Sequence, residues 1–165
     1  MTVLDELIAS APSVGTEKPV QLRDLEPAMA AAGVSPSDAL AVSWCRFSMH
    51  NIEALTEGTT LAIIHPLGIV ETTGKKKMLG GGYKFRTIDF RQCRGFGPED
   101  HINEQHGIAK FCIELVGAGG ILLGRLEWHA QGKRFREDRN RQEAMKTAEE
   151  RDRILSVVES LLGQS

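Results

Sequence analysis

Five basic residues in the middle of the chain form the pattern best suited to binding an anion. Lys75, Lys76 and Lys77 are consecutive in a predicted turn, and Lys84 and Arg86 follow after three glycines. Lys84 and Arg86 are two residues apart, so they share one face of a predicted strand. Each cation near an anionic surface contributes about 1 kcal/mol to binding. The pattern therefore predicts a site for a phosphate group or an anionic lipid headgroup.

The alternative interpretation of the same residues is a solvated turn. Glu71 and Asp89 are close in sequence and offset part of the positive charge. Lysine-rich hairpin tips also protect strand edges from pairing with other chains. Binding to anionic vesicles that weakens with salt distinguishes the two interpretations.

A second group of reactive side chains, at positions 99–106, contains acidic residues and histidines. Its members are Glu99, Asp100, His101, Glu104 and His106. On a helix the two histidines would be five residues apart and on different faces, whereas helical metal pairs are four apart. We interpret the segment as a polar loop between strands, with a metal or catalytic site as the alternative. Neither a serine elbow nor a paired Cys-x-x-Cys motif occurs, so we expect no catalytic residue, no metal and no cofactor.

Composition limits the class of protein. The chain has 165 residues, of which 41% are hydrophobic and 25% are charged, and this suits one domain with a substantial core. The formal net charge of −2 does not favour a nucleic-acid partner. Composition leaves the oligomeric state open.

The N-terminal residues and the cysteines indicate a cytoplasmic protein. Asp5 and Glu6 stand where a secretory signal has basic residues, and no apolar run approaches the ~20 residues that span a bilayer. The three cysteines, Cys45, Cys93 and Cys112, are scattered and odd in number, as is typical of reduced thiols. We expect Cys45 and Cys112 to be buried in strands.

Short apolar runs with period two predict the strands that position these groups. Strands are predicted at 40–49, 59–64, 68–73 and 83–86, followed by a hairpin over 110–130. In the hairpin, Phe111, Ile113 and Leu115 share one face, and the chain turns back at a run of glycines. The outward-facing residues are then Glu114, Arg125, Glu127 and His129.

Helices are predicted on both sides of the strands. A short amphipathic segment over 3–8 and a helix over 22–32 belong to an N-terminal lead-in, residues 1–37. Helices this short are marginal alone, so the lead-in either packs on the strands or frays. A long helix over 136–162 begins with a mixed-charge, solvated part and continues with an apolar stripe that should dock on the strands. The stripe consists of Met145, Ala148, Ile154, Leu155, Val158, Leu161 and Leu162.

The chain resembles the pleckstrin-homology-like (PH-like) superfamily, in particular its small bacterial PH-like and GRAM-like modules. The resemblance covers residues 38–162 and is carried by TTLAIIHPLGIVETTG, by YKFRTIDFRQCRGF, and by the final hairpin and helix. It implies an α+β, mostly β fold, in which a barrel of two antiparallel sheets is capped by the C-terminal helix. This PH-like domain spans residues 38–165 and follows the lead-in.

Such domains bind headgroups, peptides or protein partners and rarely catalyse reactions, and the fold alone does not give the function. We expect a non-enzymatic intracellular module that binds a protein or peptide partner as an adaptor, at a strand edge or in the groove beside the helix. The alternative is peripheral binding of anionic lipid headgroups or phosphate ligands. Its residues are Lys75, Lys76, Lys77, Lys84 and Arg86, which are similar to the basic headgroup pattern of eukaryotic members. A hydrolase or metal enzyme at positions 99–106 is a third hypothesis.

Overall fold

Seven antiparallel strands and three α-helices occur in the residues that the computed structural model describes, 3–13, 22–48, 60–76, 83–103, 108–130 and 138–163. The helices are α1 (Val3–Ser10), α2 (Leu22–Ala31) and α3 (Asp138–Leu162). The strands are β1 (Ala41–Ser48), β2 (Thr60–His65), β3 (Gly68–Lys76), β4 (Tyr83–Asp89), β5 (Gly95–Asn103), β6 (Ile108–Val116) and β7 (Leu122–Ala130). None of the described helices has the length and hydropathy needed to cross a bilayer.

The strands are ordered β4-β3-β2-β1-β7-β6-β5, and all pairs are antiparallel. β1 joins the two halves of this order. Its first part, Ala41 to Cys45, pairs with β2, and its last part, Arg46 to Ser48, pairs with β7. This confirms the α+β class and the sequence of antiparallel strands followed by one long helix.

A first hydrophobic cluster, the inner cluster, lies between the strands and α3. It combines residues such as Ile64 from β2 with Ile113 and Leu126 from the other half of the strand order. Ile154 and Val158 of α3 complete it. Because both halves of the order and the helix contact one cluster, the sheet bends around it and α3 docks on the strands, as the sequence predicts.

A second hydrophobic cluster, the outer cluster, lies on the opposite face of β1, β2 and β3. Leu4 of α1 and Leu25 and Met29 of α2 are fully buried there against strand residues such as Leu61 and Ile63. The lead-in therefore packs on the strands. All six residues of β2 are buried, because each of its faces is covered by a cluster.

Glycine is required at two of the turns. At Gly68, where β3 begins, an added Cβ would lie 1.9 Å from the carbonyl oxygen of Ile88 in β4, so any side chain would push these strands apart. In the turn between β6 and β7, Gly119 and Gly120 have φ values of 72° and 77°, a region that side chains disfavour. These glycines allow the two hairpins to close tightly.

One sequence prediction about β5 and one about α3 are wrong. Glu99, Asp100 and His101 lie in β5, not in a loop, and β5 pairs with β6 along its whole length. An edge strand needs only backbone pairing on one side and so tolerates polar residues and proline. Met145 is 62% exposed and outside the buried stripe of α3. It is nine positions from Ile154, which at about 100° per residue places it on the opposite side of the helix.

Candidate functional site

An open groove of about 520 Å³ lies between α1 and α3, above β1, and we call it the α1–α3 groove. Its residues come from opposite ends of the chain. They are Leu7, Ser10, Ala11 and Pro12 in and after α1, Val42 in β1, and Lys146, Glu149, Glu150 and Arg153 in α3. The lining from α1 and β1 is largely apolar, and the lining from α3 is charged.

Two of the four charged residues from α3 fix this wall to β1. Arg153 Nη2 donates to the carbonyl oxygen of Val42 at 2.9 Å, and Ser43 Oγ donates to Glu150 Oε2 at 2.9 Å. Arg153 also donates through Nε to Glu150 Oε1 at 2.5 Å. The spacing of 146, 149, 150 and 153 places all four side chains on one helix face. The α3 wall of the groove is therefore a helix face that is hydrogen-bonded to β1.

The anchor continues into the core of the protein. Ser43 is fully buried, and its hydroxyl accepts a hydrogen bond from Trp128 Nε1 at 2.9 Å while donating to Glu150. A continuous path of hydrogen bonds thus runs from Arg153 at the groove to Trp128 in the inner cluster. Satisfied buried polar groups of this kind hold one geometry. These hydrogen bonds fix the geometry of the β1–α3 side of the groove.

The opposite wall is formed by α1 and the residues that follow it. Leu4 is fully buried in the outer cluster, and Leu7 and Ala11 pack against the same cluster, so these residues hold α1 on the strands. Leu7 and Ala11 are partly exposed and line the groove, and Ser10 Oγ donates to the carbonyl of Glu6 at 2.9 Å. An apolar surface is thereby left open beside the charged residues of α3.

This arrangement has the composition of a binding groove. An apolar surface with a few placed polar groups is the usual composition of a ligand groove. Lys146 and Glu149 are exposed along its α3 side and offer one positive and one negative charge to a polar segment. Glu150 and Arg153 already bond β1, so their role is to shape the groove.

The structure describes only some residues of the predicted basic cluster. Lys77 lies outside the described residues. Lys75 and Lys76 belong to β3, so the prediction that they lie in a turn is wrong, and Lys84 belongs to β4. Lys76 pairs with the first residue of β4, so the backbones of Lys75, Lys76 and Lys84 lie near the same end of the β3–β4 hairpin.

Arg86 lies farther along the same hairpin and faces a carboxylate. It pairs with Glu71 of β3, and Arg86 Nε is 3.9 Å from Glu71 Oε2. Glu71 is fully buried, and Arg86 shares a strand face with Ile88, which belongs to the inner cluster. The ion pair reduces the positive charge that Arg86 can offer to an anion.

The predicted acidic and histidine group is divided between the two faces of β5. Asp100 faces α3, where Arg151 Nη1 donates to Asp100 Oδ1 at 2.6 Å, whereas Glu99 and His101 alternate with it on the outer face. The other two members, Glu104 and His106, lie outside the described residues. The structure therefore does not place Asp100 with its neighbours in one site.

An ion-pair network covers the outer face of β5, β6 and β7, and Arg125 is its centre. Arg125 Nε donates to Glu114 Oε1 at 2.9 Å, and its Nη atoms lie 3.9 Å from Glu99 Oε2 and 3.8 Å from Glu127 Oε1. The peripheral contacts are Lys110–Glu127 at 3.6 Å, His129–Glu127 at 3.1 Å and His101–Glu99 at 3.2 Å. The predicted outward orientation of the β6 and β7 residues is confirmed.

Two carboxyl groups of the network influence each other. Interaction with Glu114 raises the pKa of Glu99, whereas interaction with Glu99 and with Arg125 lowers the pKa of Glu114. Below them, burial raises the pKa of the Cys112 thiol to about 12. Cys112 therefore stays protonated at neutral pH, where only a thiolate would be reactive.

The network does not form a metal site. Within the described ranges, no three His, Cys, Asp or Glu side chains are placed to hold one metal ion. Its carboxylates instead contact Arg125, Lys110 and each other. This pattern is typical of a sheet face stabilised by cross-strand ion pairs.

Sequence analysis predicted a groove beside the terminal helix but named none of its residues. The charged positions 146, 149, 150 and 153 share one helix face, which could have indicated a second packing surface on α3. The partner wall comes from α1, more than a hundred positions earlier, and no local motif connects the two.

Comparison with known proteins identifies no relative, since no protein-family model, no curated protein and no solved structure matches the chain. The groove and the network are therefore interpreted from their own geometry.

Proposed function

We propose that the chain is a non-enzymatic, PH-like binding module that holds a segment of a protein partner in the α1–α3 groove. The strand order β4-β3-β2-β1-β7-β6-β5, bent around one cluster and followed by a docked helix, supports a PH-like barrel. The function itself is supported by the groove.

The observation that carries the proposal concerns the charged residues of α3 in the groove wall: two of them bond β1, and the other two stay exposed. Glu150 and Arg153 are bound to Ser43 and the Val42 carbonyl, so they keep the groove open without needing a ligand. Preorganisation of this kind lowers the entropic cost of binding. The parts of Leu7 and Ala11 that the outer cluster leaves exposed are then available to an incoming apolar side chain.

A protein segment fits this groove better than a membrane or a free anion. The exposed charges on its rim, Lys146 and Glu149, have opposite signs, so the groove has no net attraction for an anionic surface. An apolar side chain flanked by polar residues matches both the apolar floor and the mixed rim. The partner segment should therefore carry an apolar anchor and charges of both signs.

The test is to fill the groove without altering the core. Ser10 is exposed and lines the groove, so Ser10→Trp places a bulky ring inside it. The matched control is Ala9→Trp, on the adjacent exposed position of α1, which does not line the groove. After cross-linking in cells that naturally express the chain and affinity capture, the partner should be recovered with wild type and Ala9→Trp. Recovery with Ser10→Trp should fall about tenfold, as for a blocked anchor pocket.

The result is interpreted together with vesicle binding. Equal recovery of every captured protein with wild type, Ala9→Trp and Ser10→Trp contradicts the groove as the partner site. If, in addition, wild type and Ser10→Trp both co-sediment with phosphatidylserine vesicles in a salt-sensitive manner, the basic β3–β4 hairpin is the functional surface instead.

A further inference from the structure

His65, the last residue of β2, is an almost completely buried histidine whose two ring nitrogens have different surroundings. Nδ1 accepts a hydrogen bond from the backbone N–H of Leu67 at 3.2 Å. Nε2 is buried and has no hydrogen-bond partner among the residues that the structure describes. The side chain is 2% exposed, so water does not reach the ring freely.

These contacts fix the protonation state of the ring. A nitrogen that accepts a hydrogen bond carries a lone pair, so the proton of the neutral ring is on Nε2. A second proton can add only to Nδ1, which would then be a donor facing the donor N–H of Leu67. Two donors cannot form a hydrogen bond, so the charged ring is incompatible with the contact to Leu67.

We propose that His65 is a proton-sensitive latch on the turn between β2 and β3, which holds the turn while the ring is neutral and releases it when the ring gains a proton. The turn is connected to the rest of the fold. The carbonyl of Leu67 accepts a hydrogen bond from the backbone N–H of Phe90 at 3.0 Å, and the Phe90 side chain lies in the inner cluster. Release of the turn therefore loosens the end of the sheet where β2, β3 and β4 meet.

The charged groups around the ring provide a second position for its protonated form. Asp38, in the turn before β1, and Asp89, at the end of β4, both favour the charged ring, whereas burial, the larger effect, disfavours it and lowers the pKa of His65. Asp89 is also held by Arg91, whose Nη2 is 2.9 Å from Asp89 Oδ2. A protonated ring that leaves Leu67 can turn toward either carboxylate.

The direction of the pH effect follows from the lowered pKa. A histidine that binds its proton more weakly when folded makes its full contribution to stability above its ordinary pKa of about 6.5. That contribution is lost as the pH falls from this value through the lower pKa of the folded protein. Acid, and not base, should open the turn.

The test combines ¹⁵N chemical shifts of the His65 ring with amide hydrogen exchange in the full chain, between about pH 7.5 and about pH 4.5. As the ring changes from its neutral Nε2–H form to the charged form, the protection factor of the Leu67 amide should fall about tenfold or more. The amide of Ile113 in β6 serves as the reference for global unfolding and should keep its protection. The matched variant is His65→Asn, which keeps an acceptor near Nδ1 but cannot be protonated, and it should abolish the pH dependence at Leu67.

Three results would overturn the latch. The ring could stay neutral down to about pH 4.5, or it could gain a proton while Leu67 keeps its protection. The third is an equal loss of Leu67 protection in wild type and His65→Asn. If His65→Asn does not fold, the ¹⁵N shifts of the ring and the protection of the Leu67 amide in the wild-type protein still decide between the first two results and the latch.

Discussion

Replacing Arg151 by alanine should lower the free energy of unfolding by about 2–3 kcal/mol. The Arg151 side chain is 6% exposed, and it donates to the buried carbonyl of Cys112 at 3.1 Å and to Asp100 at 2.6 Å. Its guanidinium also lies 5.7 Å from the centre of the Phe111 ring. Most of the loss should come from the Cys112 carbonyl and from packing, because Asp100 is about half exposed and its ion pair is screened.

The control for Arg151 is its other ionic partner. Asp152 accepts from Arg151 Nε at 2.8 Å but is 61% exposed, so Asp152→Ala should change stability by no more than about 0.5 kcal/mol. Arg151→Lys should be intermediate, since lysine keeps the charge but not the fork of donors. Urea unfolding measures all three variants. An effect of Arg151→Ala as small as that of Asp152→Ala would mean that this arginine does not fasten α3 to β5 and β6.

Replacing Leu25 by alanine should cost about 3 kcal/mol, the usual effect of removing a fully buried leucine side chain. Leu25 is 0% exposed and connects α2 to the strands through the outer cluster. The cavity would be formed beside Met29 and Leu61, on the face of the sheet opposite α3. Urea unfolding should show one cooperative transition with a lower midpoint, because the lead-in and the strands share this cluster.

The neighbouring exposed residue supplies the control for Leu25. Glu26→Ala should stay within about 0.5 kcal/mol of wild type. If Leu25→Ala is equally silent, or if it melts α2 without shifting the transition of the strands, the lead-in and the strands do not share a core.

The predictable parts of this fold are those in which burial follows a simple period. Phe111, Ile113 and Leu115 alternate because one face of β6 lies toward the inner cluster and α3, whereas the other carries the polar ion-pair network over Cys112. The end of α3 was equally clear, since Ile154 and Val158 recur at helical spacing. The glycines between β6 and β7 marked a turn that their positive φ values require.

The errors occur where backbone pairing or a partner element outweighs composition. β5 contains Pro98 and several polar residues, and only its pairing with β6 makes it a strand. The helical spacing of Met145 from Ala148 and Leu155 predicts a place in the buried stripe, but the buried side of α3 contains Ile154 and Arg151. A buried arginine is identifiable only when its acceptors, Asp100 and the Cys112 carbonyl, are known.

The groove could not be located from sequence because its chemistry depends on contacts between distant residues. Charged residues such as Glu150 and Arg153 are typical of a solvated helix face. Only their hydrogen bonds to Ser43 and the Val42 carbonyl show that they fix the α3 wall of the groove to β1. A leucine such as Leu7 is found in any amphipathic helix, so its residue type does not indicate a groove. The basic β3–β4 hairpin was conspicuous by contrast, because consecutive lysines form a local pattern.

Occupancy of the α1–α3 groove can be read directly from photo-cross-linking inside cells that express the chain. A benzophenone side chain is introduced at Lys146, on the exposed rim of the groove, or at the adjacent exposed Met145, which does not line it, so that the groove itself stays open. Binding in the groove predicts a covalent adduct with a protein partner at position 146 that is about tenfold more abundant than any adduct at position 145. No adduct at position 146, or equal adducts at both positions, would contradict binding there.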